Sequence, residues 1–417
     1  MISQTHRSIS QSLSTRSLRA ATFIACAWLA ASCNKGAAAS DGPYSDIVEK
    51  AIPKLEEIVG LKFKSAPKLE RRTKAEVRDF LMKQLNNPKA VELLAGQSAV
   101  YRGLGLIPDS LDVADLLQRL LEEQIIGYYD PTTKVLYVVD GTPKLLLTQT
   151  ITHELVHALQ DQYVKVDSIQ GNVEDADRQS AAQAVLEGQA VYAQLAADPN
   201  AGPMLRMPGG WDRIRDVIKD GQTGMPVFSS APRVIREGLL FPYIGGADFT
   251  RRFIAKRKPS EMLTDLPITT RQVLNDDAYF GKRDSSWHVT LPKPSVGTIT
   301  YSNTMGEFET RLALVQHLKD EVVARRAASG IDGDRVAVIK TPEGNAVVWA
   351  TVWDDKIQAA EFFDQWSIAI SKRYKVGAWE GPAGSIEKRF NIPGEGKRIP
   401  RIALLKLISV NGRPVVV

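Results

Sequence analysis

The strongest chemical signal in the chain is five residues long: His153-Glu154-Leu155-Val156-His157. On a helix turning about 100° per residue, the two imidazoles lie about 40° apart on one face and one turn apart along the axis. Both ring nitrogens can then approach one ion at about 2.0–2.1 Å. Glu154 is displaced around the helix, so its carboxylate can face an open coordination position without ligating. There it can take a proton from water activated by a metal during attack on a carbonyl. Ile151, Leu155 and Leu159 fall on the opposite side. The segment is therefore amphipathic, with an apolar back and a ligand-bearing front. A solvent-facing helix that carries two histidines by chance is a poor account of a chain with only 5 His in 417 residues.

A catalytic zinc takes three protein ligands and keeps one position open. The motif is not followed by His-x-x-Gly-x-x-His, and the only later histidines are His288 and His317. The better third ligand is Glu187, in Ala184-Val185-Leu186-Glu187-Gly188-Gln189-Ala190 on the next helix. Gly188 and Ala190 would let that helix approach the first closely. The competing account of Glu187 is an exposed acid on an amphipathic helix. A purely structural zinc site is disfavoured, because such sites are usually closed and rich in Cys.

With His153, Glu154, His157 and Glu187 in place, the chain resembles the gluzincin branch of zinc metallopeptidases. There, two His from a motif helix and a Glu from a later helix hold Zn²⁺. Gly127-Tyr128-Tyr129-Asp130-Pro131, then His-Glu-Leu-Val-His-Ala-Leu-Gln-Asp-Gln, then Leu-Glu-Gly-x-Ala, is also similar to uncharacterised secreted bacterial and archaeal proteins predicted to be metallopeptidases. That resemblance covers about residues 100–200, with a weaker echo around Trp349 to Asp354. It implies a zincin-like fold, a peptide or protein substrate, and Asp161 hydrogen-bonding a ligand His as outer carboxylates do. Asp161 as a plain helix-surface acid stays open. Some gluzincins carry Asp four residues after the ligand Glu, where this chain has Val191. An oxyanion-stabilising Tyr or His is also implied, with Tyr243, Tyr279 and His288 as candidates. The strand over 135–139 is the expected sheet edge for pairing with an extended substrate. The runner-up function is an inactive zincin scaffold serving as a binding or assembly module, against which the intact Glu154 argues.

The elements around the motif are legible in outline. Apolar spacing predicts a helix over 45–59, kinked or bounded at Pro53. Thr73-Lys74-Ala75-Glu76 has the form of a capping box, with Val77, Phe80, Leu81 and Leu85 as an apolar face, and 111–121 is amphipathic. Two strands flank Asp130-Pro131 within 125–139. The motif helix should run from about 144–148 to 163 and the Glu187 helix from about 175 to 195. Residues 232–280 read as mostly helical, broken at Pro242, Gly245-Gly246, Pro259 and Pro267. Beyond 296 come a helix over 307–328, strands over 335–340 and 345–352, a helix over 356–374, and a hairpin across Asn411-Gly412. The expected architecture is α+β: a mostly helical zincin-like catalytic domain with a small mixed sheet over 45–295, and a C-terminal α+β unit over 296–417.

The amino terminus reads as an export signal. Arg16 and Arg19 precede an apolar run over 20–31 that ends Leu29-Ala30-Ala31-Ser32-Cys33. Small residues before Cys resemble a bacterial lipobox, although Ala30 stands where a larger apolar residue is usual. Residues 1–32 are then a lipoprotein signal peptide, Cys33 the acylated first residue and 33–44 a flexible tether. A plain signal peptide or a single membrane anchor is the alternative. Cys26 and Cys33 are the only cysteines, so a chain processed at Cys33 has no thiol for a disulfide. The formal charge is +5, but residues 1–32 hold Arg7, Arg16 and Arg19 and no acid, leaving +2 without them. That balance argues against nucleic acid as a partner. The expected location is the bacterial envelope, through the lipid. Cys33→Ser is expected to abolish fatty-acid labelling of the chain in cells; equal labelling of both forms would refute the anchor.

Overall fold

The computed structural model describes residues 43–417 except 66, 131, 166–173, 284, 383 and 395–398. The expected signal peptide, Cys33 and most of the expected tether lie outside the described residues. Among those described, no helix is long and apolar enough to cross a membrane.

The chain is α+β, as its pattern predicts. A helical region with a three-stranded mixed sheet precedes a six-stranded antiparallel sheet packed with helices. The first region contains α1 (Ser45–Val59), β1 (Lys68–Arg72), α2 (Lys74–Leu85), α3 (Pro88–Leu104), α4 (Val113–Gln124), β2 (Gly127–Asp130) and β3 (Val135–Val139). The motif helix α5 (Lys144–Asp161) and the Glu187 helix α6 (Ala176–Ala197) follow. Then come α7 (Ala201–Leu205), α8 (Gly210–Thr223), α9 (Pro226–Ser230), α10 (Arg233–Ile254), a 3₁₀ turn (Pro259–Thr264), α11 (Thr270–Leu274) and α12 (Asp276–Phe280). The C-terminal part contains β4 (Thr298–Asn303), α13 (Gly306–Leu318), α14 (Glu321–Ala328), β5 (Ile331–Thr341), β6 (Gly344–Trp353), α15 (Lys356–Tyr374), β7 (Glu387–Ile392), β8 (Arg401–Val410) and β9 (Arg413–Val416).

The small sheet explains why Val135 to Val139 is apolar at every position rather than at alternate ones. Leu136 and Val138 face a core made by α1 and α5, where Leu55, Ile151, Leu155 and Leu159 are buried. Val135, Tyr137 and Val139 face the other way, onto Val77, Leu81 and Leu121 of α2 and α4. A sheet covered on both faces buries both sets of side chains. The strand order is β1-β3-β2, with β1 parallel to β3 and β2 antiparallel to it. This corrects the expected edge. β3 is central because β1, a charged segment with no local strand signal, pairs with its far side, and the edge beside α5 is β2.

Other expectations change for local reasons. The capping box forms: Glu76 accepts the Thr73 backbone N–H at 2.8 Å, and Thr73 Oγ1 accepts that of Glu76 at 3.2 Å. Pro53 and Pro242 lie inside uninterrupted helices. The expected helix over 307–328 is two helices, because Lys319 turns left-handed at φ 61° and Asp320 caps the second by accepting from Val322 N and Val323 N. Gly245-Gly246 does not break α10 but serves contact. A Cβ on Gly246 would stand 1.9 Å from the Ala184 carbonyl oxygen, and one on Gly188 would stand 2.0 Å from the Gly246 carbonyl carbon. Gly188 thus brings α6 against α10, not against α5 as expected. Ala190 does face the core shared with α5. The largest apolar cluster joins both parts of the chain, with Leu94, Tyr101 and Leu104 packing among Leu314, Trp349 and Trp353.

The two glycines of this crossing should not tolerate a methyl group. Gly246→Ala is expected to lower stability by about 1–3 kcal/mol or more through overpacking. Gly238→Ala, on the same helix with open space around it, should be neutral or stabilise by up to about 1 kcal/mol. Equal denaturant midpoints for the two variants would contradict the crossing.

Candidate metal centre

Helix α5 presents its ligand face only because its back is fixed. Ile151, Leu155 and Leu159 are fully buried against β3 and α1, which turns His153 and His157 toward α6. Glu187 meets them from that helix, itself almost fully buried. Its Oε2 lies 3.2 Å from His153 Nε2 and 3.3 Å from His157 Nε2, and the two Nε2 atoms are 3.2 Å apart. One ligand atom from each of the three residues falls within 4.8 Å of the others, forming a group that could hold a metal ion. Two imidazoles and one carboxylate suit zinc and match a catalytic site that keeps a position open.

The electrostatics of this pocket call for a cation. Burial alone would push the Glu187 carboxyl up, but the charge of His157 and hydrogen bonds from both imidazoles bring it down to about 2. Burial likewise works against a charged His157, yet the Glu187 carboxylate lifts it to about 9. These are two views of one interaction: without a metal, the buried carboxylate keeps a proton on His157. A divalent ion would replace that proton.

Glu154 is placed differently. Its side chain is buried, and Oε2 accepts the backbone N–H of Tyr129 in β2 at 2.9 Å. Burial raises its carboxyl above the usual range, the two histidines offset this in part, and the nearby Glu187 adds to the rise. It does not join the ligand group, but it borders a cleft of about 780 Å³ with His153. The contact with Tyr129 also orients β2. In an antiparallel pair alternate residues turn their backbone groups outward, so Gly127, like Tyr129, faces away from β3. Gly127 borders the cleft, and a Cβ there would stand 2.8 Å from the Tyr137 carbonyl oxygen and 3.0 Å from Thr150 of α5. Only glycine lets helix and strand approach this closely.

The residue supporting His157 is Gln160, not Asp161. His157 Nδ1 lies 2.9 Å from Gln160 Oε1, and Gln160 Nε2 donates to the Leu186 carbonyl at 2.9 Å and to Gln189 Oε1 at 3.0 Å. An acceptor at Nδ1 fixes the tautomer that leaves Nε2 free to ligate. Asp161 is drawn away by Lys134, with which it forms an ion pair, and by the Tyr129 hydroxyl at 3.4 Å. Lys134 owes its position to the tight β2–β3 turn, where it adopts φ 58°. The turn is closed by Asp130, which accepts from Thr132 N and Thr133 Oγ1. Sequence reading missed Gln160, although its spacing of three from His157 puts it near the same face.

Of the three oxyanion candidates, Tyr243 alone reaches the site. Its ring centroid is 6.1 Å from that of His153, and it borders the cleft. Tyr279 is buried among Phe249, Phe253 and Phe280, and its hydroxyl donates to the Asp265 carbonyl. His288 is exposed and does not border the cleft. Val191, at the position where some gluzincins carry Asp, lines the cleft wall with Trp211 and Ile214 behind it.

Residues 296–402 match the model of a family described as a domain of unknown function, DUF8575. The match leaves the His153, His157 and Glu187 group outside it. No curated protein and no solved structure matches the chain.

Metal affinity should report this arrangement. Gln160→Ala is expected to weaken zinc binding about 10–100-fold, and Asp161→Asn far less, in competition against a chelator. Affinity should also rise with pH, because the ion must displace the His157 proton, and level off above about 9. The same proton sets the sign for the metal-free protein. The folded value lies above the ordinary 6.5, so this contribution to stability is complete below that value and lost as pH rises through about 9. Equal affinities for the Gln160 and Asp161 variants would overturn the support role.

Proposed function

We propose that the chain is a zinc-dependent peptidase. The observation that carries this is the convergence of three ligand atoms within 4.8 Å, with the buried Glu154 carboxylate beside them at the head of a large cleft. A metal held for structure alone has no need of that second, non-ligating carboxylate. His153, His157 and Glu187 would hold the ion. Bound there, zinc supplies Lewis acidity toward a carbonyl oxygen and lowers the pKa of water.

The chain's own groups supply the remainder. Glu154 takes the proton of the attacking water and passes it to the departing amine, two duties suited to a carboxyl that burial has raised. The Tyr129 N–H holds that carboxylate in one orientation. The outward backbone of β2 at Gly127 offers an extended substrate a strand to pair with. Tyr243, beside His153, is the group placed to donate to the carbonyl oxygen as charge builds there.

Glu154→Gln is expected to keep stoichiometric zinc and lose about 10²–10⁴-fold in peptide hydrolysis. Glu187→Gln should lose the metal itself, and activity with it. Metal analysis beside digestion of a proteome-derived peptide library separates the two. Undiminished cleavage by Glu154→Gln would end the mechanism, and a zinc-loaded wild type that cuts nothing would favour an inactive scaffold that binds.

A further inference from the structure

The cleft that leads to the metal group is lined mainly by apolar side chains, with Gln124, Gln149, Thr150, Gln194, Asn200 and Gln222 as its uncharged polar members. Apart from His153 and Glu154, the only acidic or basic residue on its border is Asp198, with no Lys or Arg, among the described residues. Asp198 is committed elsewhere: its Oδ1 accepts from Asn200 N at 2.8 Å and from Ala201 N at 2.9 Å, starting α7. Beyond the metal group, it is the one place on this border where a substrate cation could be met, and it stands at the α6–α7 connection. The wall is built by Val191 and Leu195 of α6, Ile214 and Ile218 of α8, and Tyr243 of α10, backed by the fully buried Ala247.

The mouth continues this character. Leu145 is 70% exposed, Val217 69%, Leu146 41% and Met204 37%, and all four border the same cleft. Single exposed apolar residues are ordinary. Four from three helices converging on one opening are not, because such patches mark binding surfaces. They come from the first turn of α5, from α7 and from α8. The apolar lining therefore runs from solvent to the metal group without a charged interruption.

The edge of β2 decides what kind of apolar molecule fits. Gly127 borders this cleft and its backbone N–H and carbonyl face away from β3, and an extended peptide satisfies such groups by strand pairing. An acyl chain would cover them and leave them without partners, a penalty that a paired peptide avoids. Charged side chains are disfavoured for the converse reason, since apart from Asp198 the wall beyond the metal group sets only uncharged side chains, amides such as Gln194 and Gln222 among them, against a desolvated ion.

We propose that the cleft selects an extended polypeptide stretch carrying apolar, uncharged side chains at several consecutive positions, as unfolded protein exposes, with Val191, Leu146 and Val217 setting the selection. This rests on the peptidase reading, which supplies the backbone-pairing edge and the reacting group at its end.

Binding tests it without requiring turnover. The full chain carrying Glu154→Gln and loaded with zinc is titrated into three fluorescein-labelled decapeptides. One is built from Gly, Ala, Leu, Val and Phe; in the others its three central apolar residues are replaced by Lys or by Glu. The apolar peptide is expected to bind at least tenfold tighter than either charged one. Adding Val217→Asp, a surface change that leaves the core intact, should weaken the apolar peptide several-fold and strengthen the Lys peptide. Equal affinity for the three peptides, or no binding of the apolar one, overturns the proposal. Displacement of the peptide by palmitate at comparable affinity also overturns it, by making the cleft an acyl site. If wild type cuts charged and apolar sequences alike, the selectivity falls while the peptidase reading stands. Selective binding by a chain that cuts nothing keeps the cleft assignment and removes that reading.

Discussion

Glu187 is a carboxylate held almost without water between two imidazoles, and the rest of the site is arranged around that fact. A buried charge is tolerated only when paired and hydrogen-bonded. His157 answers it as a cation when no metal is present, which is why the two groups shift in opposite senses. Breaking such a pair by removing one partner typically costs about 3–5 kcal/mol. The site is therefore a concentration of unfavourable desolvation that a divalent ion relieves more fully than a proton can. Metal binding and local stability are coupled through this one residue.

Keeping Glu187 in place requires precision from three helices. α5 is fixed from behind by Ile151, Leu155 and Leu159, packed on β3 and α1. α6 is pressed from its other side by α10, where Gly188 and Gly246 leave no room for a methyl group. The residue after the ligand is thus the one that sets the separation between helices. Any movement of α10 displaces Glu187 and Tyr243 together, since both depend on the same crossing. Gln160 adds the remaining constraint by linking His157 to the backbone of Leu186, immediately before Glu187. Ligand, ligand support and neighbouring backbone form one connected set.

The parts of this arrangement that follow from local chemistry were legible in the sequence. The helical period placed both histidines on one face, and Glu187 stood out as an acid beside small residues on the next helix. The α+β class followed from the changes of pattern after Leu121 and again from about residue 296. What could not be read depended on contacts between distant segments. Asp161 and Gln160 both lie near the face of His157; Gln160 meets its Nδ1, while Asp161 pairs with Lys134, held in a left-handed turn of a separate hairpin. β3 resembled an edge strand until β1, with its sequence Lys-Leu-Glu-Arg-Arg, was found paired along its far side. A charged parallel strand has no alternation to announce it, because only Leu69 of its five side chains is buried.

The two glutamates show how one fold assigns opposite duties to the same side chain. Glu187 faces two imidazoles and is driven toward ionisation, as a ligand must be. Glu154 lies only a few residues of packing away, equally cut off from water, yet its sole backbone donor is one N–H from β2 and its carboxyl is raised. The difference is not burial, which both share, but the number and charge of the partners. Pairs of carboxyls pushed apart in this way mark division of labour between a group that stays charged and one that exchanges protons. Glu187 contributes to raising Glu154, so the candidate ligand helps to tune the proposed base. A bound cation would weaken that repulsion, which makes the proton affinity of Glu154 sensitive to whether the neighbouring site is filled. The strand edge at β2 belongs to the same circuit, because the N–H that steadies Glu154 comes from the strand whose outward backbone borders the cleft. A substrate paired there would press on the element that orients the base, linking occupancy of the cleft to the position of the group that acts on it.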